Sequence, residues 1–540
     1  MLPNNPQQSY QQLRESFRWS LPERYNIGED VCDRWAAIDP ERIAILHQSA
    51  GAEPEAFSYQ RLKECSNRLA NLMIELGVQQ GDRVGVLLGQ CPETAFGHIA
   101  IYKMAAIAVP LFSLFERDAL LYRLSDSGCR VVITDRIGAA KLEPLRCQLP
   151  ALEQVLVIDS SAGDERDLYA GLENHSVEFE PVQTTADTPA LIIYTSGTTG
   201  QPKGALHGHR VLLGHLPGVE LSHNLFPQPG DRIWTPADWA WIGGLYDVLL
   251  SALHHGVTVV SRRFSRFDPE AALTLIAQLG IRNLFMPPTA LKMMRTLGDI
   301  RGRWPLQLRT IASGGEPLGE ELLQWAQQQL GVTINEFYGQ TECNMIVSNC
   351  TTLMPSRPGS MGMAVPGHEL AVLDVEGEPV AAGTVGTIAI KHPDPVMFLG
   401  YWNNERATRE RFVGDWMLTG DLALQDADGY LYFQARDDDL ITSSGYRFGP
   451  AEIENCLLSH EAVSMVAVVG KDDPVRTQIV KAFVVLNSGY PGDAALVQVL
   501  QAHVKTRLAS HEYPREVEFV ESLPMTVTGK IIRKALRERD

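Results

Sequence analysis

The stretch YTSGTTGQPKG at 194–204 places hydroxyl side chains, glycines and a lysine directly after the apolar run ALII. Backbone N–H groups of a glycine-rich turn form a nest for anions, and Ser and Thr hydroxyls add donors. The stretch therefore predicts a phosphate-holding loop, with a polar turn after a strand as the alternative. It differs from the NTPase pattern G-x-x-x-x-G-K-[ST], because Gly204 follows the lysine. The candidate phosphate contacts are Thr195, Ser196, Gly197, Thr198, Thr199, Gly200 and Lys203.

Five further stretches of candidate site residues follow this loop along the chain. They are GGEPL (314–318), YGQTE (338–342), TGD (419–421), RDDDLITSSGYR (436–447) and TVTGK (526–530). With the loop, this set resembles the signature of the AMP-forming acyl-CoA synthetases, part of the adenylate-forming superfamily, over nearly the whole chain. The stretches DDPVRTQIVKAFVVL, EYPREVEFVESLPMTVTGK and SSGYRFGPAEIE are most similar to the medium-chain acyl-CoA synthetase branch, near acetyl-CoA synthetase.

The elements that must position these motifs alternate between short apolar strands and amphipathic helices over the first four-fifths of the chain. Such alternation predicts α/β layers. After about residue 355 hairpin patterns appear, and the last hundred residues predict a small α+β unit. The resemblance implies a large N-terminal region of two α/β subdomains plus a β-barrel, followed by a small mobile C-terminal domain. We place the N-terminal adenylation domain at 1–435, a hinge at 436–439 and the C-terminal domain at 440–540.

The resemblance implies an ATP-dependent acyl-CoA synthetase that uses Mg²⁺ and CoA. A carboxylate is a poor electrophile, so the acid is first joined to AMP with release of pyrophosphate, and the acyl group then passes to CoA. The expected substrate is a short- or medium-chain acid, with branched or aromatic acids included. The alternatives are an acetyl- or propionyl-CoA synthetase and an adenylate-forming ligase that does not use CoA.

The resemblance assigns the nucleotide to residues from several motifs. Asp421 would hold the ribose hydroxyls, Arg436 would lie near ribose or phosphate, and Glu342 would bind Mg²⁺. Their alternatives are a Gly-Asp turn, a salt bridge within RDDD and a carboxylate that starts a helix. The remaining predicted ATP and AMP contacts are Gly315, Glu316, Pro317, Glu336, Phe337, Tyr338, Gly339, Gln340 and Thr341.

Lys530 is the predicted catalytic residue. Attack of a carboxylate on the α-phosphate gathers negative charge, and a fixed ammonium group stabilises that transition state. The alternative is a solvated lysine in a basic tail. Asp438 matches the family's hinge position, or is one carboxylate of an acidic run. The resemblance places CoA against Ser444, Gly445, Tyr446, Arg447 and Arg476, and Arg476 could instead form a loop ion pair with Asp472 or Asp473.

The stretch ADWAWIGGLYDVLL at 237–250 stands where the family builds its acyl pocket. Trp241 matches the aromatic gate, and Trp239 lines the wall or is a core residue. Gly339 occupies the position at which acetate-specific relatives carry a tryptophan that closes the pocket floor. The glycine therefore predicts a pocket for an acid longer than acetate.

Composition sets the class of partners. The net charge of −18 argues against nucleic-acid binding, which depends on clustered Lys and Arg. The eight cysteines form no C-x-x-C pair, and no apolar stretch is long enough for a membrane span. We expect a cytoplasmic protein whose partners are a carboxylic acid, ATP and CoA. A homo-oligomer, and an acetyltransferase that modifies Lys530, are further partners that we consider.

Overall fold

The computed structural model describes residues 2, 9–160, 167–195, 201–264, 266–316, 318–436, 439, 441–443, 446–473, 477–508, 513–525 and 531–539, with only the backbone at 442, 446–448 and 451–452. The strands in chain order are β1 (Ile43–His47), β2 (Glu55–Ser58), β3 (Arg83–Leu87), β4 (Ile107–Pro110), β5 (Val131–Thr134), β6 (Gln154–Val157), β7 (Pro189–Thr195), β8 (Lys203–Gly208), β9 (Arg232–Trp234), β10 (Thr258–Ser261), β11 (Asn283–Phe285), β12 (Thr310–Gly314), β13 (Ile334–Gln340), β14 (Cys343–Ser348), β15 (Met363–Ala364), β16 (Leu370–Leu373), β17 (Val385–Lys391), β18 (Gly400–Tyr401), β19 (Phe412–Val413), β20 (Trp416–Gln425), β21 (Leu431–Arg436), β22 (Ile441–Ser443), β23 (Tyr446–Phe448), β24 (Val463–Asp473), β25 (Thr477–Leu486) and β26 (Glu516–Phe519).

Helices connect most of these strands. They are α1 (Tyr10–Ser16), α2 (Arg34–Ile38), α3 (Tyr59–Glu75), α4 (Pro92–Lys103), α5 (Arg117–Ser127), α6 (Arg136–Leu142), α7 (Leu168–Glu173), α8 (Val211–Ser222), α9 (Ser251–His254), α10 (Pro269–Gln278), α11 (Pro288–Arg295), α12 (Glu320–Gln329), α13 (Glu405–Arg409), α14 (Pro450–Leu458), α15 (Ala494–Arg507) and α16 (Arg533–Arg537). Two π-helical segments, Glu29–Asp33 and Gly243–Leu250, and the 3₁₀ helix Glu143–Gln148 complete the set. Within the described ranges, no helix combines the length and the apolar character that crossing a bilayer requires.

Two large sheets form the body of the molecule. A seven-stranded sheet has the order β18-β8-β7-β4-β3-β5-β6, and a nine-stranded sheet has the order β15-β14-β13-β12-β11-β9-β10-β1-β2. Strands β3 to β7 pair in parallel, as do β1 and β9 to β13. The antiparallel pairs of the two sheets involve β2, β8, β14, β15 and β18. Their central strands are apolar on both faces because helices cover both sides, so the predicted α/β layers are confirmed.

Helices α4 and α8 show why these layers hold together. In α4 every residue except Glu93 is buried, and in α8 every residue except Leu213 is buried. A helix that is buried on nearly all sides packs on more than one neighbour. Both helices contribute to one core cluster that also takes in strands from the two large sheets.

A third sheet follows in the chain and carries the TGD motif. Its order is β16-β17-β20-β19, with β21 paired to β20. The β20–β21 hairpin turns at Asp428 and Gly429, as the sequence predicts, and Gly429 has a φ of 93°. This antiparallel sheet of five strands lies in the N-terminal region, for which the family resemblance implies a β-barrel besides the two α/β subdomains.

The last sheet has the order β23-β22-β25-β24, with β26 parallel to β25. Helices α14 and α15 contribute Ile453, Leu457, Leu500 and Val504 to its apolar core. The mixture of helices and mainly antiparallel strands agrees with the predicted α+β unit. The domain boundaries at 435, 436–439 and 440 stay a prediction.

Candidate functional site

The predicted phosphate loop joins two antiparallel strands. Thr195, which ends β7, pairs with Lys203, which begins β8, and the Thr195 hydroxyl donates to the Lys203 carbonyl oxygen at 3.4 Å. The Lys203 ammonium lies 5.1 Å from the ring centroid of Tyr401, a cation–π distance. The residues from Ser196 to Gly200 lie outside the described part of the chain. Both ends of the loop are thus held by a hairpin.

Asp421 is the centre of a buried polar cluster at the β20 strand. It is 4% exposed, and its Oδ2 accepts a hydrogen bond from the Tyr338 hydroxyl at 2.6 Å and another from Gln340 Nε2 at 2.5 Å. Asp421 pairs in register with Arg436 on β21, and Arg436 Nη1 lies 3.5 Å from Oδ1. Because two donors already occupy Oδ2, Oδ1 is the oxygen with remaining capacity to accept a ligand hydroxyl.

Glu342 follows the end of β13 and is also buried. Its Oε1 accepts a hydrogen bond from the Tyr401 hydroxyl at 2.5 Å and lies 3.7 Å from Arg411 Nη2. The backbone carbonyl oxygen of Glu342 accepts from the Phe398 N–H at 2.9 Å. In the described part of the molecule, no hydrogen bond reaches Oε2.

This carboxylate fits a magnesium ion that arrives with its nucleotide. Mg²⁺ is usually held by one or two carboxylates together with substrate phosphates and water rather than by an all-protein cage. The described residues contain no cluster of three or more His, Cys, Asp or Glu side chains that could hold a metal ion. A single buried carboxylate with a vacant oxygen suits the first arrangement. His207 on β8 and His209 just after it are buried, and burial lowers the pKa of each to about 3, so both imidazoles are neutral at pH 7.

The predicted adenine-contacting residues lie at the ends of β12 and β13. Gly315 has a φ of 92°, a conformation that favours glycine, and the Glu316 carboxylate accepts a hydrogen bond from the Thr289 hydroxyl at 3.1 Å. Glu336 pairs with Ser313 inside the sheet, and burial raises the pKa of Glu336 to about 8. At neutral pH this carboxyl group is therefore mostly protonated. Pro317 lies outside the described residues, and Thr341 is half-buried.

The predicted acyl wall is aromatic. Trp241 is half-buried, and its ring lies 5.4 Å from that of Phe112 and 6.1 Å from that of Phe115. Trp239 is fully buried, and its indole N–H has no partner among the described residues. Burial on all sides favours the core alternative for Trp239, whereas Trp241 keeps an accessible face. Phe337 packs on Phe285, with ring centroids 5.3 Å apart.

The structure does not support the predicted open floor at Gly339. A Cβ placed on Gly339 would lie 2.2 Å from the backbone nitrogen of Met345 and 2.7 Å from the Cα of Asn344. These atoms belong to the adjoining β14 segment, which folds back against β13. The glycine is therefore required by close approach of two backbones, and a tryptophan here would displace the hairpin before it could fill a pocket.

Most of the predicted C-terminal site residues lie outside the described residues. These are Asp438, Ser444, Gly445, Arg476 and Lys530. The backbone of Tyr446 and Arg447 forms β23, which pairs with β22.

Asp439, the last residue of the predicted hinge segment 436–439, is firmly held. Asp439 is buried and lies 3.5 Å from Arg533 Nη1 and 3.2 Å from Arg537 Nη2, both on α16. Arg533 also pairs with Glu454 at 2.7 Å. These ion pairs tie the end of the predicted hinge segment to α16, the helix that follows Lys530.

Two protein-family models match this chain. The model described as "AMP-binding enzyme" matches residues 32–402, more than half of the chain, and the model described as "AMP-binding enzyme C-terminal domain" matches residues 452–530. The chain belongs to the AMP-binding enzyme family. The predicted family membership and the predicted class, an acid–thiol ligase, are thereby confirmed.

Individual relatives are similar in sequence to this AMP-binding enzyme over almost their full length. The chain is 34% identical over 532 residues to an acetyl-coenzyme A synthetase of Bacillus subtilis, covering 95% of this chain and 90% of the relative. It is 31% identical over 548 residues to the human mitochondrial acyl-coenzyme A synthetase ACSM3, covering 98% and 92%. Among solved structures, the anthranilate CoA ligase AuaEII in complex with anthranoyl-AMP superimposes with a TM-score of 0.88 at 29% identity, covering 96% of this chain and 98% of that one.

One residue of the cluster in this AMP-binding enzyme was missed by sequence reasoning. Arg411 Nη2 donates to Gln340 Oε1 at 2.9 Å, and Nη1 donates to the Thr419 carbonyl oxygen at 3.1 Å. It lies outside every recognised motif, in the stretch ERFVGDW. The only signal in the sequence is a basic residue shortly before TGD, which does not distinguish a site residue from a surface charge.

Proposed function

We propose that this protein is an ATP-dependent acyl-CoA synthetase that activates a short- or medium-chain carboxylic acid, with branched or aromatic acids included, as acyl-AMP and transfers the acyl group to CoA. The observation that carries the proposal is the cluster around Asp421. Oδ2 of this buried carboxylate accepts hydrogen bonds from Tyr338 and Gln340, and its Oδ1 lies 3.5 Å from Arg436 Nη1. A carboxylate in this setting can accept hydrogen bonds from a ribose diol, which makes it a nucleoside-binding group.

The phosphates would lie between this cluster and the β7–β8 hairpin. Lys203 and the loop from Thr195 to Gly200 would supply donors for the β- and γ-phosphates. Glu342 would hold Mg²⁺, which when bound offsets the negative charge of the phosphates. Gln340 and Thr341 would lie near the α-phosphate, where the acid would attack.

The acid would approach from the aromatic wall. Trp241, Phe112 and Phe115 offer apolar ring surfaces, and burial of each CH₂ group contributes about 0.8 kcal/mol. Affinity should therefore rise with chain length until the pocket is full. The relative AuaEII, whose structure contains anthranoyl-AMP, supports including aromatic acids among the candidates.

The C-terminal unit would supply the parts that change between the two half-reactions. We propose that Lys530 stabilises the transition state of adenylation and that rotation about Asp438 then brings the CoA-binding residues to the acyl-AMP. The ion pairs of Asp439 with α16 support movement of this unit as one piece. None of the eight cysteines, all within the described chain, forms a disulfide, which supports a reducing compartment such as the cytoplasm.

The test is pyrophosphate release by the purified enzyme over straight-chain acids from C2 to C12, branched acids and aromatic acids. We expect acid-dependent pyrophosphate and AMP, with thioester formed only when CoA is present. A maximum at acetate or propionate would support the alternative of an acetyl- or propionyl-CoA synthetase. Orthophosphate and ADP as products would contradict the proposal, and acyl-AMP that CoA does not consume would indicate a ligase with another acceptor.

A further inference from the structure

We propose that Arg411 is the built-in counter-charge of Glu342 and competes with the divalent cation for that carboxylate. Arg411 is in this view a positioning residue, since it acts through Gln340 and Glu342. The inference rests on the proposed function, because it takes Glu342 as the carboxylate that the metal–nucleotide complex reaches. It adds a residue that no motif of the chain contains.

The backbone of Arg411 is fixed on both sides. Its N–H donates to the Thr408 carbonyl oxygen at 3.1 Å, and its own carbonyl oxygen accepts from the Leu418 N–H at 2.7 Å. The first bond ties it to the end of α13 and the second to β20. The side chain therefore starts from a defined point and needs little ordering to reach the site.

The guanidinium group joins three parts of the site. Its two terminal nitrogens donate to Gln340 Oε1 on β13 and to the Thr419 carbonyl oxygen on β20, while Nη2 also lies 3.7 Å from Glu342 Oε1. The contact with Oε1 of Gln340 fixes the amide orientation, so that Nε2 points to Asp421. The planar fork of arginine can make these contacts together, which the single ammonium of lysine cannot.

The electrostatic environment gives the residue a second effect. Among the ion pairs of the described residues, Arg411 is the one cationic partner of Glu342, whose side chain is only 9% exposed. A cation bound at the vacant Oε2 would lie close to a fixed positive charge and be repelled by it. A nucleotide without metal would instead be attracted by that same charge. Loss of Arg411 should therefore tighten metal binding and weaken metal-free nucleotide binding.

These opposite changes in metal affinity and nucleotide affinity can be measured without turnover. Mn²⁺ is titrated into the enzyme complexed with α,β-methylene-ATP, whose methylene bridge prevents transfer of AMP to an acid, and free Mn²⁺ is followed by its EPR signal. In parallel, binding of ATP in EDTA is measured by calorimetry. For Arg411→Gln we expect Mn²⁺ to bind about fivefold more tightly and metal-free ATP to bind about fivefold more weakly, as like- and opposite-charge pairs at this distance require.

Two variants control the interpretation. Arg409→Gln removes one positive charge two residues away, from an exposed side chain that pairs only with Glu405 at 3.7 Å among the described ion pairs, and should change neither affinity. Arg411→Lys keeps the charge, so Mn²⁺ affinity should stay near that of wild type while the KM for ATP rises because Gln340 is released. Thermal unfolding of each variant establishes that it is folded.

The results separate the possible failures. Weakening of both affinities in Arg411→Gln, or no change in Mn²⁺ affinity, would overturn the inference, because a merely structural residue moves both in the same direction. If Arg411→Gln itself does not fold, a changed Mn²⁺ affinity in the folded Arg411→Lys variant overturns the inference, and an unchanged one supports it. If the wild-type enzyme releases no pyrophosphate with any acid, the proposed function fails. The Mn²⁺ and ATP binding measurements still test the role of Arg411, because they do not depend on turnover.

Discussion

Around Asp421, the side chains of Tyr338 and Gln340 and the guanidinium of Arg436 all converge on one carboxylate, whereas around Trp241 the contacts are between aromatic rings. Hydrogen bonds and ion pairs are directional, so the polar region accepts only a ligand that matches its donors and acceptors. Apolar contact depends mainly on area and tolerates changes of shape. The nucleotide region should thus govern whether the reaction occurs, and the aromatic region which acid enters.

The largest effect is expected for Lys530→Ala. If Lys530 offsets charge in the transition state of adenylation, its loss should lower the rate of pyrophosphate release by about 10²–10³ for every acid. Thioester formation from supplied acyl-AMP should largely survive. The matched control is Lys534→Ala on α16. Equal loss in both half-reactions would remove the assignment, and a loss limited to some acids would break the contrast between the two regions.

A smaller effect is expected for Asp421→Asn. The substitution keeps the shape but removes the negative charge to which Tyr338, Gln340 and Arg436 are oriented, and hydrogen bonds to charged groups contribute about 1.5–3 kcal/mol. The KM for ATP should rise about 10- to 100-fold, with the order of preferred acids unchanged. Asp426→Asn, at a carboxylate of the same sheet that pairs with Arg357, is the control. An altered order of acids would show that the two regions are not separable.

Trp241→Ala should change selectivity while leaving the nucleotide untouched. Removal of the ring creates space, so the preferred acid should become longer, with kcat/KM gaining about fourfold per added CH₂ until the enlarged pocket is full. The KM for ATP should stay within about twofold of wild type if the indole contacts only the acid. Steady-state kinetics over the acid panel measures both. A chain-length profile identical to that of wild type would exclude Trp241 from the acyl pocket.

The smallest effect concerns stability and its pH dependence. Burial raises the pKa of Glu336 from 4.5 to about 8, so between these values the folded chain keeps a proton that the unfolded chain has lost. The stabilisation from this group is present below pH 4.5 and is lost as pH rises to about 8. Glu336→Gln should reduce the loss of unfolding free energy between pH 6 and pH 9 by about 1–3 kcal/mol. Denaturant unfolding at both pH values tests this, with the exposed Glu376→Gln as control. An equal pH dependence in wild type and Glu336→Gln would contradict it.

The contrast between the polar region around Asp421 and the aromatic region around Trp241 also explains what the sequence could predict. The residues around Asp421 come from short contiguous motifs, because phosphate and ribose are contacted from turns and strand ends whose local sequence shapes the backbone. The alternating α/β pattern was equally readable, since its buried strands form short apolar runs. Both the family and the layered fold could therefore be recognised before the structure was known.

The contacts that sequence reasoning missed depend on pairings between distant segments. Arg411 reaches Gln340 only because β20 lies beside the end of β13, a proximity that no local pattern encodes. The sequence-based prediction for Gly339 rests on side-chain volume, whereas the neighbours of this glycine are backbone atoms of β14 brought close by a tight hairpin. Phe112 and Phe115 likewise meet Trp241 from more than a hundred residues away in the chain.

The short strand β18 has a mechanical consequence. Its Tyr401 pairs with Ala205 on β8, the strand that leaves the phosphate loop, and its hydroxyl bonds Glu342. A displacement of the loop's exit is thereby transmitted through one rigid ring to the carboxylate on the other large sheet. If the loop binds the triphosphate and Glu342 holds Mg²⁺, as proposed, the two binding events are coupled through Tyr401.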